Sequence, residues 1–207
     1  MIQKIFIPIF ILFFCLFILS KWTHNFTAFT VFSHTLESAG KLPRTMPDIS
    51  LINQDGTPFH IKESNKYKMI NFVYLNCPFV CHKVNNQLEQ IYYNLTSNSL
   101  STKIDFITIS FDIKNDDIKK IKNYRKLFSD DISGWTFALL YQTSQKEFDF
   151  FLEKLGIWKY TIPRTGLINH SIYIFLVSPE NNIIKVFDPA RDTEQYIIQQ
   201  INSCLKS

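Results

Sequence analysis

Apolar residues run without a break from Ile5 to Leu19, IFIPIFILFFCLFIL, after Lys4 and ahead of Ser20-Lys21-Trp22. A helix of that run rises roughly 22 Å, against the ~30 Å of a bilayer's hydrocarbon core. Met1 and Ile2 extend it across Lys4, whose ammonium can snorkel to the headgroups. Trp22 suits an interface. The length and basic start also fit a signal h-region, but no small-residue cleavage site follows. The segment is read as an N-terminal transmembrane anchor, with a cleaved signal as the alternative. Either places the rest of the chain outside the cytoplasm, where thiols need not stay reduced.

Beyond it, residues 23–45 show no clear period and read as a linker. Ile49 to Ile61 reads as two short strands around the turn Asn53-Gln54-Asp55-Gly56. KMINFVYL, Lys68 to Leu75, is a continuous apolar strand signal, as expected of a strand buried on both faces. Val80, Val84, Leu88, Ile91 and Leu95 then step by three and four, the signature of a helix. A second central strand follows at Ile104 to Phe111, and a helix over Asp116 to Phe128 with acids at its start and bases toward its end. Phe137 to Tyr141 is a short strand. Ser144 opens a helix that stops at Gly156. Ser171–Val177 and Ile183–Phe187 form a hairpin around Ser178-Pro179-Glu180-Asn181-Asn182, and Thr193 to Leu205 is a closing helix.

Alternating strands and helices predict an α/β domain with a largely parallel sheet. The order fits a thioredoxin-like fold with an N-terminal hairpin and a late β-hairpin insertion. Three segments result: anchor 1–22, linker 23–45 and domain 46–207. The length of 207 residues agrees with one domain plus an extension. A hydrophobic share of 46% against 19% charged excludes a disordered chain. Net charge of +4 is too mild to argue for nucleic acid. Four cysteines are too few for a disulfide scaffold at this size, so their placement is what matters.

Cys77-Pro78-Phe79-Val80-Cys81 follows the first central strand directly. Open α/β sheets place their chemistry at such carboxyl strand ends. Two cysteines four apart share one helix face. A helix N-terminus lowers thiol pKa, making thiolates available as nucleophiles or soft metal ligands. The spacing alone leaves a structural disulfide or two buried thiols open. Of the five histidines, His24 and His34 fall in the linker, His60 in the first hairpin, and His82 next to Cys81 on another helix face. His170, in Asn169-His170-Ser171 at a strand start after a Pro-containing loop, stands where a third ligand can be presented, and its position alone leaves a plain turn residue open as well. Cys15 lies in the anchor and Cys204 near the C-terminus.

FVYLNCPFVC, ITISFD about thirty residues on and the late NHSIYIFLVSPENNII together resemble the Sco/SenC family over about residues 45–205. The resemblance implies a membrane-tethered, thioredoxin-like copper metallochaperone that assists assembly of the dinuclear copper centre of cytochrome c oxidase. The copper-receiving oxidase subunit would then be its partner. It implies copper ligation by Cys77, Cys81 and His170, with Asp112 a nearby acid outside the ligand set. It also implies a bacterial inner membrane with the domain in the periplasm, or the mitochondrial inner membrane facing the intermembrane space. The alternative is a thiol–disulfide oxidoreductase using Cys77 and Cys81 as its redox pair. The chain departs from the family pattern at Phe79, His82, Asn169 and the run Asp112-Ile113-Lys114-Asn115-Asp116-Asp117.

Overall fold

Strand-forming and helix-forming segments alternate along the chain as the apolar periods require. A computed structural model describes residues 3–75, 80–97, 102–128 and 132–205, with the backbone alone for residues 3–5 and 80–82. Its elements are α1 (Gln3–Trp22), α2 (Val31–Ser38), β1 (Arg44–Thr45), β2 (Ser50–Asn53), β3 (Pro58–His60), β4 (Tyr67–Val73) and α3 (Val80–Ser97). There follow β5 (Ile104–Ser110), α4 (Ile118–Arg125), β6 (Trp135–Leu140), α5 (Gln145–Leu155), β7 (Lys159–Thr161) and β8 (Ile168–His170). The chain closes with β9 (Ile174–Val177), β10 (Asn182–Phe187) and α6 (Glu194–Leu205).

Eight strands form one sheet in the order β1-β10-β9-β4-β5-β6-β2-β3. Only β4–β5 and β5–β6 pair in parallel. The sheet is therefore mixed rather than largely parallel, because hairpins close both of its flanks. Successive strand residues face opposite sides, and both sides are covered. Met69 and Phe106 pack with Val84, Leu88 and Ile91 of α3, Ile121 of α4 and Ile197 of α6. Ile70, Phe72, Ile107 and Ile109 pack on the other face with Phe148, Phe151 and Leu155 of α5. The result is the three-layered arrangement expected of a thioredoxin-like domain.

Helix ends follow their capping residues. Ser144 accepts from the Glu147 N–H while Glu147 reaches back to Ser144, a capping box at the start of α5. Gly156 ends that helix in the left-handed conformation at φ 76°.

Three expectations change. Residues 23–45 are not a plain linker: they hold α2 and β1, Leu36 packs on the core, and the Phe32 ring meets Trp158 at 5.3 Å. The segment before the late hairpin holds a second, separate hairpin, β7–β8. The third concerns the anchor. α1 forms, and its apolar side chains from Phe6 to Leu19 are exposed, Phe10 by 72%. Among the described residues, however, no helix is long and apolar enough to cross a membrane. The described side chains begin at Phe6, and from there to Trp22 α1 rises roughly 25 Å.

Candidate metal centre

His170 ends β8, where its backbone lies opposite Lys159 of β7. The Ser171 N–H donates to the Trp158 carbonyl at 2.9 Å, and the Trp158 N–H to the Ser171 hydroxyl at 3.0 Å. This pair of hydrogen bonds closes the base of the β7–β8 hairpin beside His170. The imidazole is buried, 8% exposed, with its ring edge-on to Phe111 at 4.3 Å. Nδ1 lies 2.8 Å from the Ser171 carbonyl oxygen. A carbonyl only accepts, so Nδ1 carries the proton and Nε2 keeps its lone pair. Burial lowers the imidazole pKa to about 4, against the Ser171 bond that raises it. The ring is thus neutral at physiological pH, the form that binds metals, with its tautomer set by a backbone acceptor.

Phe111 joins His170 to the carboxyl ends of the central strands. Its N–H donates to the Val73 carbonyl at 3.1 Å, and its ring stacks on Tyr74. Tyr74 stands three residues before Cys77. Cys77 lies outside the described residues. Cys81 lies in the first turn of α3, and its side chain and that of His82 are outside them as well. Among the described residues no group of three or more His, Cys, Asp or Glu gathers as a metal site, and no disulfide is present.

Acids line the end of β5. Asp112 is 5% exposed, and its carboxylate accepts from the Asn115 amide at 3.0 and 2.9 Å. Asp116 accepts from the Ser110 hydroxyl. Burial raises its pKa above the usual carboxylate range. These contacts hold the first turn after β5 against the end of that strand.

A buried polar chain lies under α3. Trp135 Nε1 donates to Thr108 Oγ1 at 2.9 Å, and that hydroxyl donates to Asn71 Oδ1 at 2.7 Å. Asn71 Nδ2 donates to Asn85 Oδ1 at 2.7 Å, and Asn85 Nδ2 to Tyr124 OH at 3.1 Å. Asn85 stands one turn after Cys81 and is fully buried. Directional bonds from β4 and α4 therefore fix the turn of α3 beyond the cysteine.

The remaining candidates lie elsewhere. His60 Nδ1 is 3.0 Å from Asp48 at the first hairpin. Cys15 is exposed on α1. Cys204 is half-buried on α6 and packs against the core. Sequence reasoning missed Phe111, Trp158 and the Asn71–Asn85 pair. An Asn inside the apolar run KMINFVYL was the available signal for the last, since a polar residue in a doubly buried strand must find a partner.

The SCO1/SenC family model matches residues 38–206. A SCO1 protein homolog of Bacillus subtilis is 21% identical over 142 residues, covering 68% of this chain and 72% of that protein. The crystal structure of yeast Sco1 with copper bound superposes with a TM-score of 0.67 at 21% identity, over 80% of this chain and 90% of that one. BsSco, described as a member of the Sco family of cytochrome c oxidase assembly proteins with a disulfide switch, gives 0.66 at 21% identity, over 79% and 95%.

Proposed function

Because the chain belongs to the SCO1/SenC family, we propose that it binds copper through Cys77, Cys81 and His170. On this reading it serves assembly of the dinuclear copper centre of cytochrome c oxidase, as a metallochaperone whose partner is the copper-receiving subunit. The observation that carries it is His170: buried, neutral, and with Nε2 left as a donor by the bond from Nδ1. Two thiolates and one imidazole form a set that selects copper over hard cations. Copper is the cargo here, and the protein's task is to hold the donors ready. On this reading the apolar helix α1 holds the domain at a membrane, the bacterial inner membrane with the domain in the periplasm or its mitochondrial counterpart.

Copper titration of the reduced protein tests this. One copper per chain is expected, with His170→Ala weakening it by about tenfold or more. Equal affinity in parent and variant overturns the three-donor site.

A second reading rests on the position of Cys81 in the first turn of α3. The positive end of a helix favours thiolate, so the Cys77–Cys81 pair would reduce partner disulfides. Attack by one thiolate forms a mixed disulfide, and the other cysteine resolves it. This activity survives His170→Ala, whereas copper delivery does not.

A further inference from the structure

The elbow after α1 brings His24 against His34 of α2, although the two stand ten residues apart. Ser38 Oγ lies 3.3 Å from Nε2 of His24 and 3.5 Å from Nδ1 of His34. The two rings sit 4.8 Å apart by centroid and cross at 67°, so they meet edge to face rather than stack. We propose that His24, His34 and Ser38 form a second metal site, separate from the candidate centre, for a cation that takes tetrahedral nitrogen and oxygen donors. Zn2+ is the reference ion.

The spacing carries this assignment. Both contacts are long for hydrogen bonds to a hydroxyl. They match the edge of a donor tetrahedron instead, which is about 3.3–3.4 Å for metal–ligand bonds of about 2.0–2.1 Å. His34 and Ser38 are one turn apart on α2 and share a face. His24 reaches them from an elbow in which His24, Asn25 and Phe26 have φ of 49°, 60° and 64°. Non-glycine residues visit that region at a cost. The elbow is held by the Asn25 N–H on the Ser20 carbonyl at 2.7 Å and the Phe26 N–H on the Thr23 hydroxyl at 3.1 Å. Two imidazoles suit Zn2+ and its neighbours in the transition series, and exclude hard cations such as Mg2+. Both histidines are half-buried, so water can take the fourth position.

Such an ion would pin α1 to α2. α2 in turn touches Trp158 through Phe32, and Trp158 clamps Ser171 beside His170. The elbow site and the candidate centre therefore sit on one run of packed residues but share no donor.

Zn2+ titration by calorimetry on the full chain in detergent micelles tests the proposal. The background carries Cys15→Ser, Cys77→Ser, Cys81→Ser and Cys204→Ser, so that thiolates do not compete. One saturable equivalent is expected. His24→Gln and His34→Gln should each weaken it by about tenfold or more, and Ser38→Ala by a smaller factor. With Co2+ as probe, a tetrahedral visible band should appear in the background protein and vanish in both histidine variants. Circular dichroism confirms that the variants fold. No saturable binding by the background protein, or unchanged affinity in either histidine variant, overturns the site. Because the thiolates are absent throughout, this outcome is independent of copper binding at the candidate centre.

Discussion

At the scale of single residues, His170 joins stability to pH. Its imidazole stays neutral down to about pH 4 in the folded protein, while an unfolded histidine titrates near 6.5. As pH falls through this window the unfolded chain takes up the proton first. Stability is therefore full above pH 6.5 and declines toward 4, by on the order of 3 kcal/mol for this depression of the pKa. Urea denaturation of the metal-free protein at pH 7.5 and 4.5 should show the loss, and His170→Gln should reduce it. Equal losses in both proteins would assign the acid sensitivity to other groups. Asn85 carries a second prediction. Asn85→Ala leaves the Asn71 amide buried without its acceptor, costing about 1–3 kcal/mol, measured as a lower urea midpoint.

Residue chemistry was legible only in part. Cysteine spacing and a histidine at a strand start can be read from letters, as can the Asn in an apolar strand. That Phe111 walls the imidazole cannot, because the two residues are 59 positions apart in the sequence and meet only when β5 and β8 are placed. The clamp between Trp158 and Ser171 is hidden for the same reason, and so is the meeting of His24 with His34.

At the scale of elements, α5 shows local rules and packing agreeing. Its capping box and terminal glycine were both predictable. What the letters did not reveal is the second demand on Gly156: a Cβ there would lie 2.7 Å from the Leu36 Cα of α2. Gly156→Ala therefore combines backbone strain at φ 76° with a clash against a neighbouring backbone. It should lower stability by about 1–3 kcal/mol, read as a drop in melting temperature. An unchanged melting temperature would mean that α2 moves aside freely. The long strands and helices were readable because their periods extend over seven or more residues. β7 and β8 have three residues each, too few to display a period. Strand direction is not encoded in periodicity either, which is why the antiparallel flanks were underestimated.

At the scale of the whole molecule, α1 stands apart from the sheet and its layers. Its exposed face from Phe6 to Leu19 adds apolar surface that the domain does not cover, and an apolar face of this extent marks an interaction site. On the proposed membrane attachment and copper site, deleting residues 1–22 should move the protein from the membrane fraction to the soluble fraction while leaving copper stoichiometry unchanged. Retention of the shortened chain in membranes would assign the attachment to another part of the surface.

The β7–β8 hairpin forms its own two-stranded sheet, and its strands pair with none of the eight in the main one. His170 therefore sits on a small lever that the Trp158–Ser171 bonds close at its base and that side-chain packing, Phe111 against His170 included, attaches to the domain. In the proposed site, an ion held by both His170 and Cys81 would act as a cross-link between that lever and α3, closing the chain between positions 81 and 170. Loading would then be felt mechanically as well as chemically. The hairpin would exchange its amide hydrogens more slowly with copper present, and release of the cargo would restore its freedom.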